Sequence, residues 1–86
     1  MKLSNLFLVH GSGDNTVLVP TGAADFSGVV RGNKTLGAIL DLLSEDISYE
    51  ELVSALCSRF DAPREVIEKD VSVALEKLRG IGALEE

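Results

Sequence analysis

The spacing of apolar residues along this chain changes once, at Asn33. Ahead of it they come in short runs, Leu6 to Val9 and Thr16 to Val19, rich in the residues that suit a pleated, half-buried surface. His10-Gly11-Ser12-Gly13-Asp14-Asn15 separates the two runs. Gly, Asp and Asn tolerate the positive φ of tight turns, so the pattern predicts a β-hairpin with a loop of about five or six residues. Pro20-Thr21-Gly22 breaks the second strand, and Ser27 to Arg31 supplies a third, short one. The stretch Gly28-Val29-Val30-Arg31-Gly32-Asn33 then runs almost directly into a helix start. A strand this short stabilises little by itself, which raises the question of what pairs with it.

Beyond Asn33 the period lengthens to that of a helix. Asn33 is placed to cap the first helix, whose Leu36, Ile39, Leu40 and Leu43 follow i, i+3, i+4, i+7 spacing. Gly37 within it costs about 1 kcal/mol relative to Ala, which predicts a compensating close approach by the hairpin. Ser48-Tyr49-Glu50-Glu51 is an S-x-x-E capping box, with Ile47 and Leu52 positioned as a hydrophobic staple. Leu52, Val53, Leu56, Cys57 and Phe60 form the expected buried stripe of this second helix. Asp61-Ala62-Pro63 ends it, and Pro63 suits the first position of a third helix that runs to about Ile81 and stops at Gly82. Its expected core face is Ile67, Val71, Ala74, Leu78 and Ile81. The order β-β-β-α-α-α, with strands segregated before helices and no internal repeat, predicts an α+β fold in one domain spanning residues 1–86.

Composition narrows the function. A chain of 86 residues with 45% hydrophobic residues, no Trp, three Phe and one Tyr builds a small, mainly aliphatic core. Its one cysteine excludes an internal disulfide framework, and no Cys/His spacing suits a metal. No metal or cofactor is therefore expected, and a reducing, cytoplasmic setting is. The Leu6 to Val9 run is too short for a signal-peptide core or a membrane span, which predicts a soluble chain with no membrane partner. Charge is unevenly placed. Residues 1–43 carry three basic and three acidic side chains, residues 44–86 five and eleven, so the second half holds the whole net charge of −6. An acidic surface repels phosphate backbones and counts against nucleic acid.

For an enzyme the chain offers little. His10 is expected in the hairpin loop and Cys57 on an apolar stripe, where a buried structural thiol is the plainer reading. Gly11-Ser12-Gly13 precedes a strand instead of opening a helix, so it lacks the free N–H groups of a phosphate cradle. Glu45-Asp46, Glu50-Glu51 and Glu85-Glu86 read as helix-edge or tail charges. No catalytic residue is expected. The third helix is more informative. At 100° per residue, Val66 and Val73 lie roughly 100–130° from the core face, on a side stripe with Asp70 and Lys77. This stripe is either a broad core face with stray exposed valines, or one wall of a shallow groove with an acidic and a basic rim. Val29, Val30 and Arg31 supply the other wall if they form an edge strand, whose free N–H and C=O groups are a template for a peptide. Arg31 is then either a solvated surface residue or a cation beside the groove.

Taken in order, these residues resemble the PqqD family, the precursor-peptide recognition elements of ribosomally made peptide pathways. The likeness is carried by Thr16-Val17-Leu18-Val19-Pro20-Thr21-Gly22, and by Val30-Arg31-Gly32-Asn33 leading into Thr35 to Leu43. Ile47 to Val53 with Leu56 and Phe60, then Val66, Asp70-Val71, Leu75, Leu78 and Gly82-Ala83-Leu84, extend it over roughly residues 6–84. The resemblance implies a three-stranded antiparallel sheet followed by three helices, a winged helix-turn-helix-like arrangement without catalytic activity. The implied partners are the leader segment of a precursor peptide, which adds to the third strand and packs on the third helix, and a maturation enzyme, often a radical S-adenosylmethionine protein. Carried over by position, the leader-binding residues are Val29, Val30 and Arg31 on the strand and Val66, Asp70, Val73 and Lys77 on the helix.

The chain departs from the family pattern at several places. Gly32-Asn33 stands where Leu-Asn is common, Leu40 where Trp is common, and Ser44-Glu45 where an Asp-Gly turn is usual. Val19-Pro20-Thr21-Gly22 replaces the Tyr-Pro-Glu-Gly of the quinone-cofactor member, which implies a pathway other than that of pyrroloquinoline quinone. The same element order also fits a DNA-binding winged helix, but residues 63–86 carry four basic against six acidic side chains, where a recognition helix is normally basic. The expected oligomeric state is a monomer, or a homodimer swapped through the exposed edge and the bend around Gly32.

Overall fold

The structure, a computed structural model, describes residues 1–11, 15–22 and 28–85. The chain runs through β1 (Lys2–Leu3), β2 (Phe7–His10), β3 (Val17–Pro20) and β4 (Val30–Arg31). It continues through α1 (Lys34–Leu42), α2 (Tyr49–Arg59), α3 (Arg64–Gly80) and β5 (Leu84–Glu85). The expected three-stranded antiparallel sheet is β2-β3-β4, and the three helices follow it. The sheet strands sit one residue later than expected at the start of the hairpin, because Phe7 and not Leu6 opens the ladder. His10, expected in the hairpin loop, is instead the last residue of β2, opposite Val17. Gly11 turns the chain immediately after it at a φ of 82°, and a Cβ there would overlap the carbonyl oxygen of Asn15. Part of the expected loop, residues 12–14, and the expected third-strand start at Ser27 lie outside the described residues.

The period-two pattern divides the sheet into two faces. Phe7, Leu18 and Val30 point inward and are buried with Ile39, Leu40 and Leu43 of α1 and its C-cap, Leu52, Val53 and Leu56 of α2, and the inner face of α3. Leu8 pairs with Val19 on the other face, and extending the β3–β4 register by one residue puts Val29 beside Val19. This outer row is open, with Leu8 and Val29 about half exposed at 51% and 56%.

The starts of α1 and α2 and the end of α3 are held by local chemistry. The Asn33 side chain accepts from the Leu36 N–H at 2.9 Å, and the second helix begins with the full reciprocal box. There the Glu51 N–H donates to Ser48 Oγ at 3.1 Å and the Ser48 N–H to Glu51 Oε1 at 3.2 Å. Gly37, expected to meet the hairpin closely, instead lines an open cleft of about 430 Å³ with Gly11 and Thr16. Pro63, expected at the first helical position, is the N-cap of α3, with an extended ψ of 145°. At its far end the Gly82 N–H donates to the Arg79 carbonyl and the Ala83 N–H to the Leu78 carbonyl, at 3.1 and 2.8 Å. That reciprocal pair is a Schellman motif, and Gly82 adopts the φ of 75° that it needs.

Two differences from the expected core matter. On α3 the buried residues are Ile67, Val71, Leu75 and Leu78, while Ala74 and Ile81 are only half-buried. Leu75 has more apolar surface to remove from water than Ala74, and the helix turns to bury it. Cys57 and Phe60, expected buried, are half-buried. The sequence pattern also shows nothing of β1 and β5, which pair antiparallel with Lys2 opposite Glu85 and Leu3 opposite Leu84. Their backbone ties the ends of the chain to the helical layer: the Leu3 N–H donates to Leu43, the Ser4 N–H to Ala83 and the Ile47 N–H to Met1. The Met1 ammonium donates to Asp46 Oδ1 at 2.7 Å and to the Ile47 carbonyl at 3.1 Å.

Ser48→Ala is expected to cost about 1 kcal/mol in urea unfolding by removing one half of the capping box. The ammonium hydrogen-bonded to Asp46, with its charge close by, lowers the Asp46 pKa below the usual aspartate value. A depressed carboxylate stabilises fully above its unfolded value and loses that contribution as pH falls through the folded one. Thermal melts of Asp46→Asn and the parent chain should therefore differ at neutral pH and converge in acid. Parallel curves across the whole range would dismiss the pair as a source of stability.

Candidate functional site

Among the described residues, β4 is an edge strand: the sheet order is β2-β3-β4, and only β3 pairs with it. Val17 stands opposite Arg31 and Leu18 opposite Val30, and the Gly32 N–H donates to the Thr16 carbonyl at 2.9 Å. Hydrogen-bonded and non-hydrogen-bonded pairs alternate in an antiparallel ladder. With Gly32 and Val30 bonded toward β3, the N–H and C=O of Arg31 point to the open side. The strand is short because the Asn33 cap starts α1 two residues after Arg31. Gly32 allows this change of direction, since a Cβ there would come within 2.8–3.1 Å of the Leu36 side chain.

The open side of β4 faces α3 across a cleft of about 300 Å³. Leu36 and Ile39 of α1 line it with Val73 and Ala74 of α3, so apolar surface is supplied by two helices. Arg31, Lys69, Asp70 and Lys77 bring charge to the same lining. Val73 is 60% exposed, so its apolar surface is available within the cleft.

The residues singled out in the sequence divide three ways. Arg31, Asp70, Val73 and Lys77 line this one cleft. Val29 and Val66 are exposed but do not line it. The Val30 side chain is 6% exposed and belongs to the core, so only its backbone belongs to the strand wall. Sequence reasoning missed Lys69 and Ala74. Ala74 reaches the cleft because α3 turns to bury Leu75 instead, whereas Lys69 lies one turn before Val73 on the same side stripe and was legible from that spacing.

Neither His10 nor Cys57 lines the cleft, and among the described residues no group of His, Cys, Asp or Glu is placed to hold a metal ion. Among the described residues no helix is long and apolar enough to cross a membrane. What the arrangement offers is an unfilled backbone ladder, an apolar trough and a charged rim. Those are the parts needed to hold an extended peptide.

A family model described as Coenzyme PQQ synthesis protein D (PqqD) matches residues 15–84. Among solved structures, TbiB1 in complex with the TbiA(beta) leader peptide is similar to this chain, with a TM-score of 0.81 and 26% identity. That likeness covers 99% of this chain and 95% of that one. Lasso peptide synthetase B1 complexed with the leader peptide has a TM-score of 0.76 at 19% identity, over 99% and 96% of the two chains, a likeness of fold. No curated protein sequence matches.

Hydrogen exchange reads the edge directly. The Gly32 amide, bonded to Thr16, should be protected, while its neighbour Arg31 should exchange far faster in the free protein. Equal protection at both would mean that the open side of β4 already has a partner.

Proposed function

This chain belongs to the PqqD family, and from that membership we propose that it is a non-catalytic module holding the leader segment of a ribosomally made precursor peptide for a maturation enzyme. The observation that carries the reading is the open edge of β4 facing an apolar cleft on α3. The likeness to TbiB1, solved with a leader peptide in place, supports it.

In this reading the leader adds as a strand beside β4. Val29, Val30 and Arg31 act mainly through their backbone, and alternate leader side chains enter the cleft. Magnitudes decide where the affinity comes from. A two-residue strand offers the new partner only a few backbone hydrogen bonds, each worth a net 0.5–1.5 kcal/mol or so. A micromolar complex needs about 8 kcal/mol. Most of the difference must come from apolar side chains buried against Val73, Ala74 and Leu36, at roughly 25 cal/mol for each Å² removed from water. Asp70 and Lys77 orient the peptide at the rim. Val66, one turn before Asp70 on the same stripe, continues the wall toward the start of α3.

The whole of residues 1–86 acts as one recognition unit, and its lone thiol suits a reducing cytoplasm. The module supplies no reacting group. Its contribution is to raise the local concentration of the precursor beside the enzyme that modifies it.

The test uses candidate leaders encoded by short open reading frames beside the gene, synthesised and titrated into labelled protein by NMR. Micromolar binding with shifts at Val29 to Arg31 and along Asp70 to Lys77 is expected. Val73→Glu should weaken it at least tenfold, about 1.4 kcal/mol, with the fold intact because Val73 is exposed. A variant that binds the leader as well as the parent chain would remove α3 from the site.

A further inference from the structure

The cleft differs in charge sign from the molecule around it. Arg31, Lys69 and Lys77 line it with Asp70, which is three of the chain's eight basic residues and one of its fourteen acidic ones. The remainder of the chain then holds five basic residues against thirteen acidic. Arg59 and Arg64, elsewhere on the surface, are neutralised by Asp41 and by Glu50 and Glu68. Arg31, Lys69 and Lys77 pair with no described carboxylate. At physiological salt a surface charge is screened within about 8 Å. A bound peptide therefore responds to the cations it touches, and the acidic helices beyond them contribute little.

Spacing adds to this. Lys69 and Lys77 are eight residues apart on α3, about 12 Å along the helix axis. A peptide extended along the cleft rises about 3.3 Å per residue, so 12 Å corresponds to between three and four residues. Only an even interval keeps both side chains on the face toward α3, which selects i and i+4. Val73 lies midway between the two lysines and meets the side chain at i+2.

Resting on the leader-binding reading above, we infer that the segment held in this cleft is an acidic, alternating strand. Carboxylates at i and i+4 reach Lys69 and Lys77, and an apolar side chain at i+2 packs on Val73. Asp70, next to Lys69, weakens the cationic surplus at that end, so the carboxylate facing Lys77 is the stronger determinant. Lys69, one turn before Val73 on the same stripe, is thereby a specificity residue for the occupant.

Selection of a random peptide library displayed on phage, against the immobilised full chain, tests this whatever the sequence of the leader. At physiological salt the enriched clones should carry Asp or Glu four residues apart around an apolar residue, and the preference should fade at high salt. On the charge-reversed Lys69→Glu/Lys77→Glu chain the same positions should turn to Lys or Arg. Lys77→Gln should weaken a synthetic peptide of the enriched sequence by about threefold to fivefold, as an exposed ion pair does. No charge preference, or the same acidic sequence on the charge-reversed chain, would overturn the inference and leave the site standing. Enrichment that Val73→Glu does not abolish, or none at all, would overturn the site itself.

Discussion

The rest of this structure depends on a strand held from one side. Val30 and Arg31 are fixed by their register with Leu18 and Val17, and two residues later Asn33 has already begun a helix. The chain has no room to add a further strand of its own before α1 carries it away. The peptide groups of Arg31 are left facing a helix that cannot pair with them, since the hydrogen-bonding groups of α3 are spent within itself. The gap between is lined by Leu36, Val73 and Ala74, which are too short to close it. An extended chain satisfies both walls at once, because it is the only common element with a hydrogen-bonding edge and alternating side chains.

A site of this kind is useful only if its walls keep their distance, and the fold's fixings are placed to that end. The Asn33 cap sets the start of α1, the Ser48–Glu51 box the start of α2, and the Schellman turn at Gly82 the end of α3. Leu18, Leu56 and Leu78 lie in one continuous core beneath them. Walls already in position spare the complex the ordering of loops and rotamers that association otherwise costs.

What was legible in the sequence follows the range of the interactions concerned. The caps at Asn33 and Ser48 and the stop at Gly82 depend on residues three or four apart, and each appears in the structure as the local pattern implies. β1 and β5 do not announce themselves, because two-residue strands have no period and Lys2 meets its partner Glu85 at the far end of the chain. The same distinction runs through the site. Asp70, Val73 and Lys77 share one helical stripe and could be read together. Lys69, one turn before Val73, belongs to that stripe as well, but Ala74 could not be read with it, since its position depends on whether the helix turns toward Ala74 or Leu75, and the packed core decides that. His10 went to the wrong element because a pairing with Val17, not its own glycine-rich surroundings, determines where β2 ends.

The clasp between β1 and β5 bears on how such a module is joined to other proteins. Paired antiparallel strands bring Lys2 and Glu85 to within one strand spacing, about 5 Å. A domain whose entry and exit lie side by side can be spliced into a loop of a larger enzyme without prising apart either host or guest.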